Sequence, residues 1–301
     1  MKKTLLALAL GLVTSASASA ANMYINLGSN SFDTLSAFGI GTGDANFTTG
    51  SFNEFGFSQL LATSVYDITD GQVAGSFYDT NKASELAFLG IPVTGTAMNG
   101  TSIVELKLPT AAQVDLDALS PLVPPLGADG EGFLATWELL VEYHFDGTLG
   151  ASGPVYTGGT FDVFFNDKTA ANNDRKVLGG TLTGSDLMAA NLNLFFDITF
   201  AENDFLFIEE TPGSGIYLDA FDLASVAGDR EFVLDTNVNP PIPTADQLLA
   251  IDTGGVNGLF PDVAVRQTTL DGSITAQIPE PATVALLGLG LLGLGLARRR
   301  A

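Results

Sequence analysis

The stretch WELLVEYHF, residues 137–145, alternates apolar and polar side chains almost without exception. In an extended chain the apolar set falls on one side and the polar set on the other: Trp137, Leu139, Val141, Tyr143 and Phe145 against Glu138, Glu142 and His144. A period of two predicts a β-strand with one buried face, not a helix. The same alternation recurs in residues 103–108, 160–165 and 194–200.

Turn residues separate these alternating stretches. Asp70-Gly71 lies between residues 64–69 and 72–78 and predicts a hairpin with a two-residue turn. Helix signals are weak: Ser185 is a candidate cap for a turn or two over residues 186–190, and Thr244 with Gln247 resembles a capping box. We therefore predict an all-β fold, an antiparallel β-sandwich. The proline-rich break at residues 121–125 is either a long loop within one sandwich, which we favour, or a boundary between two lobes.

The first 20 residues contain the three parts of an export signal. Lys2 and Lys3 precede the apolar run of residues 5–13, and small residues lead up to Ala20. This order predicts a signal peptide, residues 1–20, that is cleaved between Ala20 and Ala21. We expect the Sec export machinery to carry the chain, so that the body, residues 21–277, lies outside the cytoplasm.

The body is acidic and has no disulfides. The chain contains no cysteine, so core burial alone must hold the exported body together. Five of the 12 basic residues lie in the terminal segments, whereas all 34 acidic residues lie between Lys3 and Arg298, which gives residues 21–281 a net charge of −27. Such a field disfavours nucleic acid and favours divalent cations and cationic partners. The alternative is that the charge serves solubility only.

The C-terminal segment, residues 278–301, has a different composition from the body. Pro279, Glu280 and Pro281 are followed by residues 282–297, which carry no charge, and then by three arginines: Arg298, Arg299 and Arg300. As a helix the uncharged part would be roughly 24 Å long, slightly less than a bilayer core. We predict a single transmembrane helix whose arginines stay in the cytoplasm.

The order of these parts in IPEPATVALLGLGLLGLGLARRR resembles the PEP-CTERM sorting signal of Gram-negative bacteria. The resemblance implies that exosortase, a polytopic membrane protease, recognises Pro279, Glu280 and Pro281. It also implies that the apolar span holds the precursor transiently in the inner membrane, that the arginines stop transfer, and that the body is then released or attached. Members of this family travel with exopolysaccharide and biofilm systems. Residues 157–184 and 191–200 are also similar to the bodies of flocculation-associated members.

Few catalytic chemistries are open to the body. Thiol catalysis is excluded, and a two-histidine metal site is excluded because His144 is the only histidine. A Ser-His-Asp triad would have to use His144, which lies beside Glu142 on the predicted outer face of its strand. Paired carboxylates remain open, since a glycoside hydrolase needs only two. We predict a non-enzymatic protein, with a secreted carboxylate-dependent enzyme acting on matrix polysaccharide as the alternative.

The loop after residues 160–165 is rich in side-chain oxygen atoms. The candidate ligands are Asn166, Asp167, Asn172, Asn173 and Asp174. Such oxygens suit a weak Ca²⁺ site, and we predict no other cofactor. Lys168, Arg175 and Lys176 would oppose a cation, and a plain hairpin loop is the alternative.

These features together predict an exported protein of the cell surface or extracellular matrix. We expect a structural or adhesive role in exopolysaccharide, biofilm or floc formation, with exopolysaccharide as a partner of the body. A third interpretation leaves the tail uncut and the protein anchored in the membrane.

Overall fold

The computed structural model describes residues 19–28, 48–89, 94–98, 100, 102–104, 114–120, 132–134, 136–170, 174–188, 191–224, 231–237, 242–255 and 260–278. Most of them lie in strands. In chain order the strands are β1 (Ser19–Ala20), β2 (Met23–Ile25), β3 (Glu54–Asp67), β4 (Gly75–Thr80), β5 (Thr94–Thr96), β6 (Ser102–Val104), β7 (Val114–Ser120), β8 (Trp137–Gly150), β9 (Gly153–Asp167), β10 (Arg175–Met188), β11 (Asn191–Ala201), β12 (Leu206–Glu209), β13 (Tyr217–Asp219), β14 (Glu231–Asn237), β15 (Leu249–Asp252) and β16 (Asp262–Ile278). The described helices are α1 (Ala83–Leu86) and α2 (Ala220–Ala224), and a 3₁₀ turn spans Ala87–Leu89.

Eight of the described strands form a closed antiparallel ring. Each pairs with the next in the order β3, β4, β8, β9, β10, β11, β14 and β16, and β16 then pairs with β3. This last pairing runs from Val263 opposite Asp67 to Thr275 opposite Glu54. The all-β antiparallel fold is therefore confirmed, but one continuous ring replaces the two separate sheets of the predicted sandwich. Because the ring is closed, few strand edges are left unpaired, whereas a flat sheet would expose its two edge strands.

Between β3 and β8 the ring is completed by two shorter strands, β4 and β7. β4 pairs with the C-terminal part of β3 and with the C-terminal part of β8. At the other end, β7 pairs with residues 54–58 of β3 and with Leu140 and Val141 of β8. The gap is thus bridged at both ends although neither short strand spans it. Residues 121–125, where the sequence left a loop or a lobe boundary open, lie outside the described residues.

The core inside the ring follows the alternation of the sequence. The predicted inward side chains of β8 are all buried, from Trp137 to Phe145. β9 and β11 likewise contain the predicted strands 160–165 and 194–200. Only the start of the predicted strand 103–108 is described, as β6. Successive side chains of a strand point to opposite faces, so alternate positions face the core of the ring.

Smaller elements cover the ring at one end and on its outside. The sheet of β2, β12 and β13 contributes Met23, Ile25, Leu206 and Ile208 to the ring's own core. The Phe205 ring lies 5.9 Å from that of Phe165, near the end of β9, which places this sheet at that end of the ring. A second cluster joins α1, the 3₁₀ turn and β15 to the outer faces of β3, β4 and β16.

The end of β4 is held by a side chain that imitates backbone. Asn81 is fully buried and follows directly on Thr80. Its amide nitrogen donates to the carbonyl of Val141 at 2.5 Å, and its amide oxygen accepts from the backbone N–H of Tyr143 at 2.8 Å. Asn81 thus extends the hydrogen-bonding of the sheet after the strand has ended.

Two local predictions need correction. The hairpin at Asp70-Gly71 is present, but its connection spans residues 68–74, and Asp67 Oδ1 accepts from the backbone of Thr69 at 2.9 Å. That side-chain turn replaces a two-residue turn. The helix predicted after Ser185 is wrong, because residues 175–188 are strand β10. Pairing with β11 outweighs the capping tendency of Ser185, whose hydroxyl instead accepts from the N–H of Tyr156 at 2.9 Å.

Candidate functional site

The last described residues belong to a strand of the ring. Gln277 pairs with Glu231 of β14 and with Ala20 of β1, and Ile278 pairs with Ser19. Pro279 comes next in the sequence and has no N–H to donate to a sheet. The C-terminal segment therefore begins directly at the end of β16, with no linker between it and the ring.

The predicted sorting residues lie outside the part of the chain that the structure describes. Pro279, Glu280, Pro281, Arg298, Arg299 and Arg300 lie outside the described residues, as does the apolar stretch 282–297. Within the described part of the chain, no helix is long and apolar enough to cross a membrane. The transmembrane helix thus stays a prediction.

The predicted signal cleavage point lies beside the end of β16. Ala20 pairs with Gln277, and the backbone N–H of Ala21 donates to the carbonyl of Ala276 at 2.9 Å. Ala21 is fully buried, and Met23 exchanges two backbone hydrogen bonds with Phe52. The bond between Ala20 and Ala21 is therefore enclosed by sheet pairing in the folded body.

Asn22 ties the start of the body to the small sheet. Its amide nitrogen donates to Glu209 Oε2 at 2.8 Å, and its carbonyl accepts from the Glu209 N–H at 2.8 Å. Burial raises the pKa of Glu209, but hydrogen bonds from Gly215, Gly213 and Asn22 outweigh it and lower the pKa. Glu209 is thus held as a carboxylate that fixes both the β12–β13 turn and the segment after the predicted cleavage point.

The predicted calcium loop uses its side chains for its own hydrogen bonds. Asn166 donates to Glu138 at 2.7 Å, and Asp167 Oδ1 accepts from the N–H and the hydroxyl of Thr169 at 2.8 and 2.6 Å. Asp174 is exposed, and Asn172 and Asn173 lie outside the described residues. Among the residues that are described, no three His, Asp or Glu side chains are grouped to hold a metal ion. Calcium binding at this loop stays a prediction.

The cations near this loop all have carboxylate partners. Lys168 pairs with Glu138 at 2.7 Å, Arg175 with Glu202 at 2.9 Å and Lys176 with Asp162 at 2.5 Å. Their charges are therefore largely balanced, which weakens their expected opposition to a cation.

His144 lies between two carboxylates on the outside of the ring. Its Nδ1 is 2.7 Å from Glu85 Oε2, its Nε2 is 3.2 Å from Asp146 Oδ1, and its ring stacks on that of Tyr78 at 5.0 Å. The hydrogen bond to Glu85 raises the pKa of His144 more than burial lowers it. Burial raises the pKa of Glu85, but hydrogen bonds from His144 and Thr80 and the charges of His144 and Lys82 outweigh it and lower the pKa.

We expect this pair to stabilise the fold most between about pH 4.5 and 6.5, the ordinary pKa values of Glu85 and His144. The raised pKa of His144 gives stability below 6.5 that is lost as pH rises through the raised value. The lowered pKa of Glu85 gives stability above 4.5 that is lost as pH falls through the lowered value. Urea unfolding of wild type and His144→Gln from pH 4 to 8 should show the largest difference inside this window. A difference that stays constant with pH would contradict the assignment.

Sequence reasoning singled out no polar residue of the ring interior. A cavity inside the ring is lined in part by Asp79, Tyr156 and Arg266, which belong to β4, β9 and β16. The available signal was the alternation itself, which places Asp79 on the same side of β4 as Phe77. A charged side chain on the apolar face of a strand is expected to be buried, and buried charged residues are uncommon in proteins.

Comparison with known families identifies the C-terminal segment. The family model of the PEP-CTERM protein-sorting motif matches residues 277–300, which confirms the resemblance found in the sequence. No curated protein and no solved structure matches the chain. The motif implies an exported, membrane-anchored precursor that exosortase, a membrane protease, processes at the cell surface. The matched region begins at Gln277, the residue that pairs with both β1 and β14.

Proposed function

We propose that this chain, which carries a PEP-CTERM sorting motif, delivers an acidic all-β body to the cell surface or extracellular matrix, where the body has a structural or adhesive role. One observation carries the proposal: the motif begins at Gln277, at the very end of the last ring strand. The pairing that closes the ring, between β16 and β3, ends at Thr275. Removal of the tail beyond Ile278 therefore leaves the closed ring intact.

The two terminal cleavages are coupled in this proposal. The bond between Ala20 and Ala21 is enclosed in the folded body, so the signal peptide is removed before β16 takes its place in the ring. Loss of Ser19 and Ala20 takes away the partner strand of Ile278. Gln277 keeps its pairing with Glu231, whereas Ile278 loses its partner and is free to lie extended in a protease cleft, the conformation that a residue before proline favours.

The outer face of the ring supports a cation-bridging role. Glu142 of β8 lies directly opposite Asp162 of β9, and both side chains are partly exposed. Like charges at directly opposite positions destabilise a sheet. At this pair Lys176 already supplies a cation to Asp162, so the support for cation bridging comes from the excess of acidic over basic residues in the body as a whole. We propose that divalent cations bridge such carboxylates, including the loop of residues 166–174, to exopolysaccharide.

A gene deletion complemented with two forms of the gene tests the role in the matrix. We expect settling and matrix retention to be lost in the deletion strain and restored by the whole gene. The same gene with Pro279, Glu280 and Pro281 replaced by alanine should not restore them, because exosortase would no longer recognise the precursor. Unchanged settling in the deletion strain would overturn the adhesive role.

Binding experiments on the exported protein test the bridging mechanism. We expect retention on the producing strain's exopolysaccharide in millimolar Ca²⁺ and release by a chelator, in line with weak extracellular calcium sites of about 10⁻⁴ to 10⁻³ M. Retention that does not change on chelation would contradict cation bridging while leaving the sorting role untouched.

A further inference from the structure

The interior of the ring contains a cavity with a volume of about 100 Å³. Its walls combine aliphatic and aromatic side chains, and four neighbouring strands contribute the aromatic residues Tyr66, Phe77, Tyr143, Phe145, Tyr156 and Phe161. Edge-to-face contacts hold them together, for example between Phe77 and Tyr156 at 5.1 Å. A closed ring of eight strands has an interior that is filled by side chains or holds one small ligand.

The cavity is separate from the sorting end of the molecule. Arg266 and Thr268 of β16 line it, whereas the tail begins after Ile278 on the same strand. Ile274, the cavity residue of β16 nearest the tail, is four residues from Ile278, which is roughly 13 Å of extended chain. None of the residues that line the cavity belongs to the sorting motif, so the proposed binding does not rest on the proposed sorting.

One carboxylate oxygen in the cavity is left over. Asp79 Oδ2 accepts a short hydrogen bond from the hydroxyl of Tyr156. Asp79 Oδ1 is buried and accepts no hydrogen bond of normal geometry from the described residues, although the Ser64 hydroxyl interacts with the Asp79 carboxyl group. A buried acceptor without a well-formed hydrogen bond is costly, so an arriving donor that competes with Ser64 still gains that interaction.

The charges around Asp79 limit the kind of molecule that fits. Burial raises the pKa of Asp79, and the nearby Ser64 and Tyr156 hydroxyls and the charge of Arg266 oppose the rise. Arg266 is itself only 5% exposed. A cationic ligand would meet the guanidinium of Arg266, and an anionic ligand would meet the carboxylate of Asp79. A neutral ligand avoids both repulsions.

We propose that this cavity binds one small neutral molecule with a single six-membered ring and a hydroxyl group, and that the hydroxyl donates to Asp79 Oδ1. The aromatic walls suit the faces and edges of such a ring. The volume limits the ligand to one small ring: a 150 Å³ apolar cavity in another protein takes up benzene, and this cavity is smaller but not fully enclosed, which leaves room for the hydroxyl group. Phenol is the simplest molecule that meets these conditions.

Calorimetric titration of the exported protein with phenol and with toluene tests the proposal. We expect one phenol per chain and binding of toluene that is at least roughly tenfold weaker, because toluene cannot donate to Asp79. Asp79→Asn should weaken phenol binding roughly tenfold or more and leave toluene binding unchanged. The matched control is Asp235→Asn on the exposed side of β14, which should change neither affinity.

A second variant keeps the proposal testable if Asp79→Asn does not fold. Ala62 lines the cavity and is 8% exposed, so Ala62→Leu places three more carbon atoms in the space that the ligand needs. We expect Ala62→Leu to abolish binding of both phenol and toluene while the thermal unfolding transition is retained. The proposal is overturned if phenol does not bind wild type, if toluene binds as tightly as phenol, or if Ala62→Leu binds phenol like wild type.

Discussion

Replacing Gly159 with alanine should lower the free energy of unfolding by about 2–5 kcal/mol. Gly159 has a φ of +138°, a backbone conformation that residues with a side chain rarely adopt. A Cβ atom at this position would lie 2.3 Å from the carbonyl oxygen of His144 and 2.7 Å from the Cα of Phe145. Both are backbone atoms of the neighbouring strand β8, so neither can turn aside. The strand pair would have to separate where β9 bends around the core.

The neighbouring glycine provides the control for this prediction. Gly158 has no positive φ, and a Cβ atom built on it meets no other atom within 4 Å. We expect Gly158→Ala to change the free energy of unfolding by less than about 0.5 kcal/mol, as for most surface substitutions. Urea unfolding of the two variants beside wild type measures both effects. If Gly159→Ala were as stable as Gly158→Ala, the close approach of β8 and β9 described above would be wrong.

Truncating Trp137 to alanine should cost about 3–5 kcal/mol. Trp137 is the only tryptophan of the chain and is fully buried at the start of β8. Its ring stacks on that of Phe165 at 5.5 Å and lies 4.8 Å from that of Phe133. No disulfide is present to limit the loss, so the cavity left by the indole acts on the core alone. The midpoint of thermal unfolding should fall by roughly 10 °C in a body of this size.

An exposed aromatic residue provides the matched control. Phe221 of α2 is 49% exposed, and we expect Phe221→Ala to shift the midpoint by no more than about 2 °C. Thermal unfolding followed by circular dichroism compares the two variants directly. Equal midpoints for Trp137→Ala and wild type would show that the indole is not part of a cooperative core.

The strands could be predicted from the sequence because the alternation that specifies them is local. Residues 137–145 reveal their buried face without any knowledge of the partner strands. The closure of the ring could not be predicted in the same way, since it depends on β16 meeting β3 across about 200 residues of chain. The same short alternating strands are compatible with a sandwich or with a ring.

Turn chemistry was less reliable than alternation. Thr244 and Gln247 do make the side-chain hydrogen bond of a capping box, with Gln247 Oε1 accepting from the Thr244 N–H at 3.0 Å. That bond closes a turn before β15 and not a helix. Ser185 similarly has a partner, but across the sheet. Gln247 and Ser185 each accept a hydrogen bond from a backbone N–H, as capping residues do. Whether a helix or a strand forms beside them depends on the tertiary pairing.

The candidate functional residues also divide into those that are adjacent in the sequence and those that only the fold brings together. The sorting motif is contiguous, so its order of parts is visible in the sequence. Asp79, Tyr156 and Arg266 come from three strands that the ring brings together, and no spacing along the chain relates them. His144 was expected beside Glu142 on its own strand, whereas its closest carboxylate partner, at 2.7 Å, is Glu85 of α1. A partner supplied by another element cannot be identified from strand periodicity.

The mass of the exported protein tests the central claim most directly. The chain isolated from outside the cells should begin at Ala21 and lack Arg298, Arg299 and Arg300. The variant with Pro279, Glu280 and Pro281 replaced by alanine should keep those arginines and stay with the membrane. An exported wild-type chain that still ends at Ala301 would contradict processing through the sorting motif.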